Sequence, residues 1–205
     1  MSAGLRERKK AETRRALSSA AVRLARELGP DGVTVEDIAD AAGVSPRTFF
    51  NYFSTKDDAI LGISPSDPPD MLNDLLDRPP DESPLDALRG MALAAASRLE
   101  STADEQIARY ELTQQHPALA IRRAARFSEV ERQLAEEIAR RTGLDVDRDP
   151  FPTLVVAAAI AALRIAVGMW NETGRATPIS TVIGDNFDQL ATGFDVGSAR
   201  SAVPS

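Results

Sequence analysis

Apolar residues recur at intervals of three and four along almost the whole chain, the spacing that gathers them on one face of an α-helix. No stretch alternates long enough to require a strand. The pattern predicts an all-α protein. A first helix runs from about Glu7 to Leu28, with Leu17, Ala21, Leu24 and Leu28 on one face, and Gly29-Pro30-Asp31-Gly32 stops it. Later starts place a hydroxyl three residues before an acid, at Thr34/Asp37, Thr55/Asp58, Ser83/Asp86 and Thr102/Glu105, where the two side chains satisfy orphan helix N–H groups reciprocally. Ser45-Pro46 and Thr177-Pro178 read as a cap followed by proline at the first helical position, where its missing N–H costs nothing.

These signals divide the chain into a first domain over residues 1–62, a proline-rich connection over 63–83, a larger helical body over 84–195 and a disordered tail over 196–205. Body helices are expected at about 84–100, 104–115, 117–141, 152–173 and 178–193. Phe127, Val130, Leu134 and Ile138 share one face, and Ile179, Val182, Ile183, Phe187, Leu190 and Phe194 form another stripe. The stretch 154–170 is apolar all round and needs cover on every side, which a second copy docked through 152–173 and 178–193 would supply. Its alanine content and Arg164 favour a buried helix over a membrane span.

Residues 34–56 carry the most specific pattern. Val35, Ile38, Ala39 and Ala42 form the buried face of one short helix. Gly43 sits where a helix end requires the left-handed conformation, Val44 plugs the corner, and Ser45 opens a second helix. Phe49 and Phe53, four apart, turn that second helix into the core and leave Pro46, Arg47, Thr48, Asn51 and Tyr52 on its other faces. Such a face can read DNA in the major groove: Arg47 can bond guanine bidentately, Asn51 can pair with adenine, and Thr48 can serve a base or a phosphate. Thr34, Tyr52 and Lys56 suit phosphates, and Ser45 joins the contact set at the helix start. The plainer alternative is an αα-hairpin that only packs.

Charge first argues against this, since 24 basic residues face 31 acidic ones for a net charge of -7. The distribution reverses the argument. Residues 1–26 hold eight basic side chains against two acidic, a balance of +6, while the chain beyond residue 62 carries −8. Arg6, Lys9, Lys10 and Arg14 can therefore enter a minor groove or lie along a DNA backbone, against the alternative of a solvated, charge-rich helix.

With no cysteine and His116 as the one histidine, disulfides, thiolate nucleophiles and cysteine- or multi-histidine metal centres are excluded within a single chain. His116 precedes Pro117 at a helix start, where a capping role fits. Glu111 and Glu129 lie on charge-rich helices rather than in an acid–base dyad. No enzyme, metal or cofactor is expected, and the charged N-terminus lacks a signal-peptide core, which places the protein in the cytoplasm.

The pattern Thr34-x3-Ile38-Ala39-x2-Ala42-Gly43-Val44-Ser45-x3-Phe49-x2-Tyr52-Phe53-x2-Lys56 resembles the N-terminal domain of the TetR family of bacterial regulators, over residues 11–62 or so. The resemblance implies a three-helix DNA-binding head with a helix-turn-helix, a helical ligand-binding body, and a homodimer made by the last two long helices. Phe50 departs from it, standing where many relatives have a tyrosine that can touch phosphate. The short fourth helix followed by prolines departs as well.

The body, through Ser83-Pro84-Leu85-x2-Leu88, Arg122-Arg123-x2-Arg126-Phe127 and Leu134-x3-Ile138-Ala139-Arg140-Arg141, resembles a subgroup that responds to acyl-CoA-like ligands. That likeness implies that Arg122, Arg123 and Arg126 attract a phosphate-bearing ligand, with a solvated basic face as the alternative. Candidate lining residues for an effector are Met91, Leu99, Tyr110, Phe127, Leu163, Met169 and Trp170, each of which also suits ordinary core. Arg164 is read either as ion-paired near the dimer interface or as an anion contact.

The expectation is a ligand-responsive homodimeric repressor on double-stranded DNA with no membrane association. Its reader helices would lie about 34–36 Å apart on a near-palindromic operator, and a hinge change at the fourth helix would release it. An activator or global DNA-binding regulator with the same head, and a ligand- or partner-binding helical dimer without operator function, stand as alternatives.

Overall fold

Local capping chemistry sets the helix starts at Val35, Pro46, Lys56 and Pro84. The computed structural model describes residues 2–63 and 70–193, with the backbone alone for residues 2–7. Along these the chain forms α1 (Ser2–Leu28), a 3-10 turn (Pro30–Gly32), α2 (Val35–Ala41), α3 (Pro46–Phe49), α4 (Lys56–Leu61), α5 (Asp70–Leu76), α6 (Pro84–Ser101), α7 (Ala103–Gln115), α8 (Pro117–Thr142), α9 (Pro150–Glu172) and α10 (Ile179–Ala191). Among the described residues there is no strand, so the all-α expectation holds. The helix begins ahead of Glu7, so the backbone of the basic run from residue 6 to residue 15 is helical rather than an extended arm. Phe194 and the tail over 196–205 lie outside the described residues.

The chain packs as two compact units, residues 1–68 with 102–126, and residues 69–101 with 127–205. This differs from the linear division into 1–62 and 84–195. The reason is visible in the head core, where Ala108 and Leu112 of α7 and Leu119 of α8 are buried in one cluster with Leu17, Ala21, Ile38, Phe49, Phe53 and Ile60. Leu28 is a correction to the α1 stripe. It is 58% exposed, while Val22 and Ala25 turn inward. Its Cβ instead lies 3.3 Å from where a Cβ on Gly32 would sit, over the turn that ends the helix.

In the body unit α6, α9 and α10 pack together. Ala159, Ala162 and Ala166 are buried along α9, small enough for α10 to approach closely, and Asn186 of α10 donates from Nδ2 to the Ala162 carbonyl at 3.0 Å. Val130, Leu134 and Ile138 form the inward line of α8, but Phe127 is 44% exposed and drops out of that line. The expected connection contains α5. Its C-terminal carbonyls are held by the buried Arg141 guanidinium, which donates to Leu75, Arg78 and Pro79 oxygens.

Two expected caps are replaced by tertiary partners. Thr102 makes no side-chain cap bond, and Glu105 instead accepts from Ser19 Oγ at 2.7 Å and from Arg109. Thr177 does not cap α10, which starts after Pro178, and the Ile179 N–H donates to Glu100 Oε1 at 3.2 Å. Thr34/Asp37 forms the reciprocal box as expected, while Thr55 and Ser83 accept from the Asp58 and Asp86 N–H groups and give their hydroxyl protons to those carboxylates.

Candidate nucleic-acid interface

The turn between α2 and α3 is built by residues whose chemistry leaves few other shapes. Thr34 accepts from the Asp37 N–H while the Asp37 carboxylate accepts from the Thr34 N–H and hydroxyl at 3.0 and 2.6 Å. Those two bonds hold the Asp37 carboxyl below the usual carboxylate range. Gly43 has φ 68, the left-handed conformation in which a side chain is strained, and so lets α2 end in a sharp corner. Val44 packs on the head core beside it. Ser45 Oγ accepts from the Thr48 N–H at 3.1 Å, and Pro46 occupies the first helical position.

α3 itself is a single turn that continues through tight backbone bonds to Phe53. Phe49 and Phe53 are buried, with ring centroids 5.8 Å apart. Arg47 and Asn51 are exposed, and Thr48 and Tyr52 are half-buried, Tyr52 packing on the core. Phe50 is 59% exposed, its ring edge-on to Phe49 at 5.4 Å and 86°.

Four of the expected contact residues, Thr34, Ser45, Thr48 and Lys56, are partly occupied. The Thr34 hydroxyl proton goes to Asp37, and the Thr48 hydroxyl shares a 2.9 Å bond with Ser45 Oγ. Lys56, expected to face phosphate, donates from Nζ to the carbonyls of Pro30 and Val33 at 2.9 and 3.0 Å. Two of its three ammonium protons thus close the corner between the 3-10 turn and α4, and one remains. On α1, Lys9 is exposed and Lys10 and Arg14 are half-buried, the last two on the line that continues to Leu17 and Ala21. The Arg6 side chain lies outside the described residues.

α4 is fastened on two sides within the head unit. Arg109 of α7, 9% exposed, donates from Nε to the Ile60 carbonyl at 2.9 Å and from its second nitrogen to Ser18 Oγ at 2.8 Å, and pairs with Glu105. Burial lowers its pKa while Glu105 raises it, and the guanidinium stays charged. Ser18 in turn donates to the Ala59 carbonyl at 2.6 Å. Gly62 ends α4 at φ 71, and Arg109 Cζ lies 3.4 Å from where its Cβ would be. Arg122 of α8 grips Asp58 bidentately. In this conformation the fourth helix is tied to α1, α7 and α8, and the Arg122 guanidinium is paired with Asp58. Sequence reasoning missed Arg109, Ser18 and the second role of Asp58, whose only local signal was the spacing of Glu105 and Arg109.

Residues 17–61 match the family described as "Bacterial regulatory proteins, tetR family", and residues 82–195 match the family described as "MftR C-terminal domain". The chain belongs to the TetR family. It is 36% identical over 174 residues to the HTH-type transcriptional regulator TcmR of Streptomyces glaucescens, covering 82% of this chain and 76% of TcmR. It is 29% identical over 189 residues to a Mycobacterium tuberculosis protein named as the mycofactocin biosynthesis transcriptional regulator MftR, covering 92% and 94%. Among solved structures, the TetR-family regulator PfmR from Thermus thermophilus superposes with TM-score 0.52 at 20% identity over 87% of this chain and 98% of that one. A Clostridium perfringens fatty acid metabolism regulator superposes with TM-score 0.56 at 14% identity over 88% and 99%. Both show the fold. TetR regulators bind DNA and form homodimers, and this chain is a transcriptional regulator of that family.

The effector candidates of this TetR-family chain differ in burial and are divided between the two units. Tyr110 belongs to the head unit and is exposed, as is Met169 in the body, whereas Met91 is fully buried core. Leu99 and Leu163 are half-buried. Trp170 is 5% exposed, and its indole N–H meets no acceptor; Gln133 Oε1 and Asn171 Oδ1 are likewise buried and unpaired in the same unit. Arg175 lies over the Trp170 ring at 5.3 Å. Arg164 is exposed, and Arg123 and Arg126 are half-buried. His116 serves through its backbone, its N–H bonding the Leu112 carbonyl and its carbonyl accepting from Leu119. α9 is long and apolar enough to cross a membrane by composition, yet Ala159, Ala162 and Ala166 bury a face of it within the body.

Proposed function

We propose that this TetR-family regulator is a cytoplasmic repressor that binds a near-palindromic operator as a homodimer and leaves it when a small effector enters the body. The observation that carries the DNA reading is the pairing of exposed Arg47 and Asn51 on one face of a turn whose other face, Phe49 and Phe53, is locked in the core. Arg47 reads guanine and Asn51 adenine, while Thr34, Ser45, Thr48, Tyr52, the remaining proton of Lys56 and the basic line Arg6, Lys9, Lys10 and Arg14 take phosphates.

The dimer uses α9 and α10. Phe151, Leu154, Ile165 and Met169 of α9 are exposed, an apolar surface that a second copy would cover. The effector is apolar or acyl-CoA-like and offers an acceptor to the indole N–H of Trp170, since an unpaired buried donor favours any ligand that completes it. An activator carrying the same head is the alternative reading, separated by where its sites lie relative to promoters.

The test is selection of genomic fragments by the purified protein, followed by titration against salt. Specific binding that weakens steeply with salt supports the reading. Binding to no fragment above background rejects it.

A further inference from the structure

Phe50 has no task inside the protein that its exposure explains. Phe49 and Phe53 point into the core, and the intervening turn sends Phe50 outward beside Arg47 and Asn51, three residues after the one and next to the other. Its ring meets that of Phe49 edge-on, with centroids 5.4 Å apart, while the rest of the ring is open to solvent. The other exposed large apolar residues of the head unit, Leu28, Tyr110 and Ile121, lie on α1, α7 and α8. A phenyl ring carries no donor or acceptor, and it therefore offers nothing to a phosphate oxygen. In a major groove the matching partner is the one apolar group displayed on a base edge, the C5-methyl of thymine.

We propose that Phe50 is a specificity-determining residue that buries a thymine methyl in each half of the operator, beside the bases bonded by Arg47 and Asn51. This rests on the operator reading given above and adds to it a base preference that hydrogen bonding alone does not provide. Burying one methyl group corresponds to about a fourfold gain in affinity per half-site.

The experiment uses the full-length protein and an operator duplex recovered by selection from random DNA, with each thymine replaced in turn by uracil, which lacks only the methyl. Expected is one thymine position per half-site at which uracil weakens wild-type binding about fourfold, with that penalty lost in Phe50→Ala and kept in Phe50→Tyr. If the wild type binds its operator but tolerates uracil everywhere, or if Phe50→Ala retains the same penalty, the proposal is overturned while the operator reading stands. Failure of the wild type to select any duplex would instead overturn the operator reading, and this proposal with it. The uracil scan on wild-type protein needs no variant to fold.

Discussion

Arg122 of α8 and Asp58 of α4 are joined by two parallel hydrogen bonds, Nε to Oδ1 at 2.7 Å and a terminal nitrogen to Oδ2 at 2.9 Å. The carboxylate is buried and the guanidinium half-exposed, and the bond raises the arginine pKa further. Removing the cation leaves a buried charge with only its capping bonds. Arg122→Ala is expected to cost about 2 kcal/mol in urea denaturation, and Arg122→Lys less, because a lysine keeps the charge and loses the fork. Equal stability of the alanine variant and wild type would show that the pair does not hold α4.

Arg109 is the stronger fastening, because it satisfies Ile60, Ser18 and Glu105 from a buried position. Arg109→Met should destabilise by about 3 kcal/mol, since it orphans buried acceptors and a carboxylate. Gly62→Ala should cost at least about 1 kcal/mol, from its positive φ and the approach of the guanidinium. Thermal unfolding followed by circular dichroism measures both.

Glu137 is held below the ordinary glutamate pKa by hydrogen bonds from Arg140 and then Arg141, against the cost of burial. A carboxyl lowered on folding contributes its full stability above its unfolded pKa and loses it as pH falls through the lower folded value. Wild type should therefore lose stability across the acidic side of the ordinary glutamate range, whereas Glu137→Gln starts less stable at neutral pH and shows a shallower slope there. Parallel slopes for the two proteins would assign the acid loss to other groups.

Lys56 and Arg47 should separate cleanly. Lys56→Met removes two charged donors from backbone carbonyls and is expected to cost about 2 kcal/mol of stability, together with a reduction of about one in the salt slope of DNA binding. Arg47→Ala should leave stability within about 0.5 kcal/mol and weaken operator binding by about 1–3 kcal/mol, with relaxed preference at one base pair. Stability and binding titrations on the same preparations decide both.

Features that depend on neighbours in sequence were legible in advance. The Thr34–Asp37 box, the left-handed Gly43 and the Ser45-Pro46 start are each specified within four residues, and the inward Phe49 and Phe53 follow from helical spacing. Features set across the fold were not. Thr102 and Thr177 have the right chemistry for caps, but Glu105 finds Ser19 and Arg109, and the Ile179 N–H finds Glu100 from a distant helix. Leu28 and Phe127 fit an apolar period yet stand where the core has ended. Lys56 reads as a surface cation because nothing local announces that two carbonyls more than twenty positions earlier in the chain await it. The exposed face of α3 was accordingly clear from sequence, and the bracing behind it was not.

Ala108, Leu112 and Leu119 complete the head core, and they follow the helix-turn-helix by some fifty residues or more. During translation the DNA-reading segment leaves the ribosome well before the side chains that roof its core. At about 5–20 residues per second, that leaves several seconds in which α1 to α4 exist without α7 and α8. A nascent chain bound to its ribosome therefore carries an unfinished reader. Burial of the complete head core becomes available only after the polypeptide has been made well past the helix-turn-helix.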